Sequence, residues 1–296
     1  MDKKLTKDQQ FFCDKTLEFT KDIYNKCEDQ LTPVYLLQKK NRDDLLGEIA
    51  KILLSYHIAD NILKLSTVEK KKLYLDVSNT IVENLKKELK FETNTTKNIL
   101  LDASKLKYNT NNYIYSLGSE NKLKQAKEEI FSKIVDEKID GEIWSERIWK
   151  NKNQLKIDLN TEVKKFLKGE VTVNDIEKII KTKYNSEASD TKRLVNTEIC
   201  RVQESANDEW QHANGIDYVM YMATLDSHTC PDCASNDGKV FKLDEKPVEL
   251  PRHPQDRCTY VSLPNENWKP TLRMDNETKQ NINWTTYTEW FDKQKS

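Results

Sequence analysis

Cys230-Pro231-Asp232-Cys233 and, further on, His253-Pro254-Gln255-Asp256-Arg257-Cys258 are the stretches whose reading decides the fold. Two thiolates three positions apart can grip one face of a zinc ion, and a distant His and Cys can close the tetrahedron. Cys230, Cys233, His253 and Cys258 thus make a complete Cys3His set. Four protein ligands leave no open coordination position, which argues for a structural ion and against a catalytic one. Other readings of the cluster stay open. Cys230 and Cys233 could be a redox pair, although the strand–CxxC–helix setting of a thioredoxin-like site is missing. They could form a disulfide under oxidising conditions, or pack without any metal. A zinc deaminase is disfavoured, because Thr229 rather than proline precedes the first cysteine and no His-x-Glu occurs. His228 is a spare ligand, read as a polar surface histidine.

Working outward, Asn236-Asp237-Gly238 signals a turn between β-forming runs. Lys239-Val240-Phe241 follows it as a short strand. The segment YVMYMATLDS (218–227) alternates and is rich in β-formers, so a strand is expected before the cysteine pair. Six of the seven prolines lie between Pro231 and Pro270, and all six tryptophans lie at or after Trp144. The last part of the chain therefore reads as turns, short strands and irregular backbone. Trp284, Tyr287 and Phe291 share a face of an expected final helix in a tail that also holds Trp268 and Trp290. That helix is read as docking back onto the cysteine module, with a partner-binding anchor as the alternative.

Upstream, the periodicity is helical. Helices are expected over 6–31, ended by Thr32-Pro33, then over 34–64, 67–90 and 119–139. FETNTTKN (91–98) and NTNNYIYSLGSEN (109–121) read as breaks. A helix from about 143 to 168 stops at Lys168-Gly169-Glu170. The next opens at Thr172 or Asn174, with Asn174 as N-cap. A long helix then runs to Gly215, and on it Glu198 and Arg201 are close enough to pair. Trp144 and Trp149 bracket Arg147 and read as a core aromatic pair. Cys13, Cys27 and Cys200 read as small buried apolar residues.

Composition bounds the function. Of 296 residues, 36% are apolar and 33% charged, with a net charge of −1. That suits a helical protein with much exposed surface and exerts no global pull on nucleic acid. A DNA contact would need a local patch, for which Lys239, Lys242, Arg252 and Arg257 are candidates, with Lys246 nearby. Interspersed acids, Asp232, Asp237, Asp244, Glu245, Glu249 and Asp256, work to neutralise it. No apolar run approaches the roughly 20 residues that span a bilayer, so no membrane role is expected. The opening MDKKLTKDQQFF has no apolar run behind its charges, so no secretory signal is expected. A reducing compartment favours thiols or metal over disulfides.

Taken together, Arg193, Thr197-Glu198, Leu225-Asp226, the Cys230–Cys233 pair, Asp237-Gly238-Lys239-Val240 and the His253–Cys258 run resemble the phage Mu F-type minor head proteins, also called phage head morphogenesis proteins. The stretch GEIWSERIW (141–149), with Trp144, Arg147 and Trp149, is also similar to this family. The resemblance covers roughly 140–262. It departs at Asp256, where the family often has a further cysteine, so Asp256 is a conceivable substitute ligand.

An α+β fold is expected: the upstream helical periodicity gives a helical arm or bundle over 1–140, and the resemblance implies a head morphogenesis domain over 141–296. That domain would be a small α+β module with a zinc-knuckle-like cluster and a C-terminal helix. It implies a virion protein of few copies, not an enzyme, found in the capsid interior or at the portal vertex and in host cytoplasm during assembly. It would act in head assembly, extending to DNA packaging or ejection. Its expected partners are the portal protein, scaffold or major capsid protein, and phage DNA, and zinc is its expected cofactor. The alternative is a metal-dependent nuclease or toxin-like hydrolase built on His253, Asp226 and Glu198 with Arg193, Arg201, Arg252 and Arg257.

Overall fold

The computed structural model describes residues 7–116, 124–263, 267 and 270–294, and within the first helix the side chains of Ile23 and of residues from 25 onward. The expectations placed on Cys13, on the start of the 119–139 helix (residues 119–123) and on Trp268 lie outside the described residues. The architecture is α+β, mostly helical, with small antiparallel sheets towards the C-terminus.

Three helices are longer than their sequences suggest. α1 spans Lys7–Ser55 and carries Pro33 in its interior. Proline removes one helical N–H and usually ends or kinks a helix. Here Leu31 and Val34 on either side of it are buried at 1% and 0% exposure, and packing overrides the local signal. α2 spans Thr67–Ser116: it passes unbroken through the first expected break and runs into the second as far as Ser116, beyond which residues 117–121 lie outside the described residues. Tertiary packing holds their polar residues: Thr96 is fully buried, with no hydrogen-bond partner for its hydroxyl among the described residues, and Asn112 accepts from Trp210 Nε1 at 2.8 Å. α3 is only Glu128–Val135, much shorter than the expected helix over 119–139.

α4 spans Trp144–Lys168 and ends at Gly169, whose φ of +83° places it in the left-handed region. A Cβ built there would meet Ile62 Cγ2 at 2.6 Å, so glycine is required twice over. α5 is one helix, Ile176–Ala213. Thr172, not Asn174, caps it: the Thr172 hydroxyl donates to Asp175 Oδ2 at 2.6 Å and accepts from the Asp175 N–H at 3.2 Å. Between α1 and α2, where helix was expected through residue 64, β1 (Ile58–Ala59) and β2 (Ile62–Leu63) form a two-residue hairpin. Asp60 and Asn61 take positive φ there, as a hairpin of this length demands.

Two compact units result, and each draws on both halves of the chain. The division expected at 140/141 is a division along the sequence, and the compact units interleave across it. One unit comprises 29–98 and 138–195. Its apolar core joins Leu45 and Ile49 of α1, Val77, Ile81 and Leu85 of α2, Leu159 and Phe166 of α4, and Ile176 and Ile180 of α5. Lys152 is buried within this unit, with its ammonium 3.0 Å from Glu88, 2.7 Å from Glu92 and 2.6 Å from Glu187.

The other unit comprises 1–28, 99–137 and 196–296. Its central sheet runs in the order β4-β3-β5, with β3 Tyr218–Met222, β4 Val240–Lys242 and β5 Thr259–Leu263, all antiparallel. Strand alternation sends Val219, Tyr221 and Tyr260 to one face, packed with Trp210, Cys233 and Cys258, and Met220, Val240 and Leu263 to the other. The outer edge of β5 is stitched to α5 by polar side chains. Asn207 donates to the Tyr260 carbonyl at 2.8 Å and Gln211 to the Ser262 hydroxyl at 3.0 Å. A second hairpin, β6 (Leu272–Asp275) with β7 (Gln280–Asn283), precedes the last helix.

Candidate metal centre

The cysteine pair sits on the opening turn of α6 (Pro231–Asn236), with Cys230 at its N-cap and Pro231 at its first position. Proline suits that position because the N–H it lacks would have no helical partner. The Cys233 N–H points at Cys230 Sγ, 3.4 Å away, so the turn presents both sulfurs on one side. The second half of the site lies on the loop before β5. Asp256 shapes that loop: its carboxylate accepts from the Arg252 N–H at 2.8 Å and the Cys258 N–H at 2.9 Å. The Thr197 hydroxyl of α5 accepts from the Gln255 N–H at 2.9 Å, and Gln255 itself has a φ of +62°. The helix thus pins the loop at its most contorted residue.

These elements bring the ligand atoms of Cys230, Cys233 and His253 within 4.8 Å of one another, and those of Cys233, Asp256 and Cys258 likewise. The four sequence-expected ligands fall into two overlapping sets that share Cys233, and Asp256 joins the second. Tetrahedral zinc with sulfur and nitrogen ligands sets its ligand atoms roughly 3.3–3.8 Å apart. The donor set fits such an ion after a small closure, with Cys258 or Asp256 completing it. His253 Nδ1 lies 3.0 Å from the Pro254 carbonyl, and a proton donated there leaves the Nε2 lone pair for a metal.

Charge in the cluster is concentrated on the shared sulfur. The hydrogen bond with Cys258, followed by those with Tyr221 and Cys230, lowers the Cys233 thiol to about 6 against the opposing effect of burial. The same Cys233 contact, then burial and Asp256, push the Cys258 thiol up. The hydroxyl of Tyr221, a fully buried residue of β3, donates to Cys233 Sγ at 3.1 Å. A thiolate so supported is the protonation state a metal requires.

Residues 158–261 match the family model for Phage Mu protein F like protein. Over that span the chain is similar to phage Mu protein F. No curated protein and no solved structure matches it. The phage Mu F-like span runs from within α4 into β5 and contains Arg193, Thr197, Glu198, Asp226, Asp237, Gly238 and all four Cys/His positions. Trp144, Arg147 and Trp149 precede it.

The expectation of a core aromatic pair is corrected: Trp144 is buried at 3%, whereas Trp149 is 53% exposed. Five positions along a helix turn through about 500°, which leaves the two rings roughly 140° apart around α4. Arg147 donates to the Ile139 carbonyl at 2.8 Å, and Arg193 pairs with Asp190 at 2.7 Å on the surface. Glu198 pairs with Arg201 at 2.7 Å, both buried, and Arg201 goes on to the Ile134 and Val135 carbonyls at the end of α3. Asp226 accepts from the His228 N–H at 3.0 Å and is salt-bridged to Arg257.

Of the basic candidates, Lys242 pairs with Glu245, Arg252 with Asp232 and Arg257 with Asp226. Lys239 is exposed and makes no ion pair among the described residues.

Asp237 does more than turn the chain. It is buried, and it accepts from the Ala223 N–H at 2.8 Å, from Arg273 Nη1 at 2.7 Å and from the Tyr287 N–H at 2.6 Å. Arg273, 1% exposed, also donates to the Thr285 and Ala223 carbonyls and lies over the Trp284 ring at 4.9 Å. Sequence reasoning missed Arg273 entirely. The last helix, α7, is Tyr287–Gln294, so Trp284 precedes it instead of lying on it. The helix docks as expected: Tyr287 and Trp290 pack on Leu225 with Ala234 of α6, and the Tyr287 hydroxyl donates to the Asp226 carbonyl at 3.2 Å.

Proposed function

We propose that this chain is a minor head protein of a phage, acting in head morphogenesis at the portal vertex and carried in the virion. The match of residues 158–261 to the phage Mu F-like family is the observation that carries this reading. Scaffold or major capsid protein would be met during assembly. Contact with DNA during packaging or ejection would be secondary, since three of the four basic candidates are paired with acids. No helix among the described residues is long and apolar enough to cross a membrane. The purified chain should co-migrate with portal assemblies and be found in mature particles by mass spectrometry. Failure of both would overturn the assignment.

Within that role, the Cys/His cluster is a structural zinc site. Cys230, Cys233 and His253 hold the ion, and Cys258 or Asp256 completes the tetrahedron. The metal joins α6 to the loop before β5, two pieces of chain with little regular structure between them, and its binding free energy becomes folding free energy. The pairing of Glu198 with Arg201 and of Asp226 with Arg257 speaks against the nuclease alternative, because both carboxylates are committed to cations. Incubation with supercoiled DNA and magnesium, manganese or zinc should leave the DNA intact.

A further inference from the structure

The donors of the Cys/His cluster do not gather around one point. The ligand atoms of Cys230, Cys233 and His253 lie within 4.8 Å of one another, as do those of Cys233, Asp256 and Cys258, and among the described residues no fourth donor joins either triad within that distance. A single tetrahedral ion needs its ligand atoms roughly 3.3–3.8 Å apart, so one ion must draw the triads together. Two ions would leave each triad close to where it stands, with the Cys233 sulfur as the shared corner.

The charge of the donors points the same way. As ligands, Cys230, Cys233 and Cys258 are thiolates and Asp256 is a carboxylate. One divalent ion balances half of that charge, and two balance all of it. With one ion, either a thiol stays protonated or the excess charge is buried, because Cys233, Asp256 and Cys258 are all buried. Buried charge without a partner is costly. The flanking cations are engaged elsewhere, Arg252 with Asp232 and Arg257 with Asp226.

The donors have the capacity for two ions. A thiolate sulfur has lone pairs to spare and can bridge two soft cations. Each Asp256 oxygen accepts one backbone N–H, Oδ2 from Arg252 and Oδ1 from Cys258. A carboxylate has about four acceptor sites, so Asp256 can bind an ion without releasing its loop. Cys230 and His253 are half-buried, so an ion on the first triad can complete its shell with solvent. The second triad is enclosed, but a small cavity against Cys258 has room for about one water to serve as a ligand there.

We propose a second metal position in this cluster: a thiophilic divalent ion held by Cys233, Asp256 and Cys258, sharing the Cys233 sulfur with the zinc on Cys230, Cys233 and His253. The inference rests on the zinc reading of the cluster. Sulfur donors favour zinc or cadmium over magnesium and calcium. The chain keeps the first ion tightly and takes the second from excess metal, because the second enters beside a charge of its own sign. While alone, the first ion draws in Cys258 or Asp256. The second ion reclaims both, and solvent replaces them on the first.

The test uses the full chain under reducing conditions, equilibrated with a spin-active cadmium isotope at rising free concentration. Bound cadmium is counted by elemental analysis, and its NMR spectrum is recorded. The content should rise from about one to about two ions per chain, giving two cadmium resonances coupled to each other through the shared sulfur. Cys258→Ser and Asp256→Asn should each return the content to about one and leave a single resonance. If either variant fails to fold, the wild-type coupling decides the matter. A content that stays at one ion in excess cadmium overturns the second position and leaves the zinc reading standing. No bound cadmium at all removes both. Two resonances without mutual coupling place the extra ion elsewhere and also overturn the proposal.

Discussion

Replacing Lys152 by methionine should be among the most damaging changes in the unit formed by 29–98 and 138–195. Lys152 is 3% exposed and lies within ion-pair distance of three carboxylates that are themselves almost wholly buried, Glu88, Glu92 and Glu187. Partners from α1 complete the network: Asn41 donates to Glu88 at 2.8 Å, and Gln38 donates to Glu92 at 3.4 Å. Methionine nearly matches the lysine stem, so the loss is electrostatic and not a cavity. Breaking a buried ion pair from one side costs about 3–5 kcal/mol, because the remaining charge has no compensation. Three carboxylates would lose one cation, which places the variant at the upper end of that range. A pH series tests the mechanism. Burial raises the Glu187 carboxyl above its usual range, so its protonated form favours folding at low pH, and that contribution is lost as pH rises through the folded pKa. Lys152 is itself held above its ordinary value by the carboxylates against burial, so its cation contributes fully throughout the neutral range. Denaturant melts of wild type and Lys152→Met should therefore differ most at pH 8 and converge towards pH 5. Adding Glu88→Gln, Glu92→Gln and Glu187→Gln to the methionine variant should recover much of the loss. A penalty under about 1 kcal/mol at pH 7, or one that does not change between pH 5 and 8, would refute the reasoning.

Three further outcomes follow from the same contacts. Asp237→Ala should leave the Arg273 guanidinium buried without its carboxylate and release the Tyr287 N–H. A loss of about 3–5 kcal/mol is expected, with amide exchange accelerated first in α7. Gly169→Ala should cost at least about 1–2 kcal/mol for the left-handed backbone, and more from the clash with Ile62, as read from thermal melts. Thr197→Val should free the Gln255 turn and weaken metal binding about tenfold or more, as loss of an outer-shell support does, with zinc competition titration as the readout.

The fold was legible where one signal acted alone. Gly169 stops α4, Gly215 follows the end of α5, and the alternating run at 218–222 is a strand. It was illegible where tertiary packing outweighed local propensity. Pro33 and the Asn/Thr-rich segments of α2 sit inside helices because buried neighbours and long-range hydrogen bonds hold them there. The β6–β7 hairpin has no strong turn dipeptide, and Arg273 looks in sequence like any charged residue of a polar tail. The cysteine cluster was readable from spacing. The positioning of its loop by Thr197 was not, because a hydroxyl on a helix gives no sign of a partner 58 positions away. Helical phase alone separates Trp149 from Trp144: five positions on a helix leave the two rings on different faces, and Trp149 is exposed.

The central claim is that sulfurs and an imidazole from two distant pieces of chain share one ion. Elemental analysis of the protein, prepared without chelator and exchanged into metal-free buffer, tests it most directly. About one zinc per chain is predicted, falling to near zero in Cys233→Ser, the ligand common to both sets. Protein that is folded, intact and free of bound metal would contradict the account.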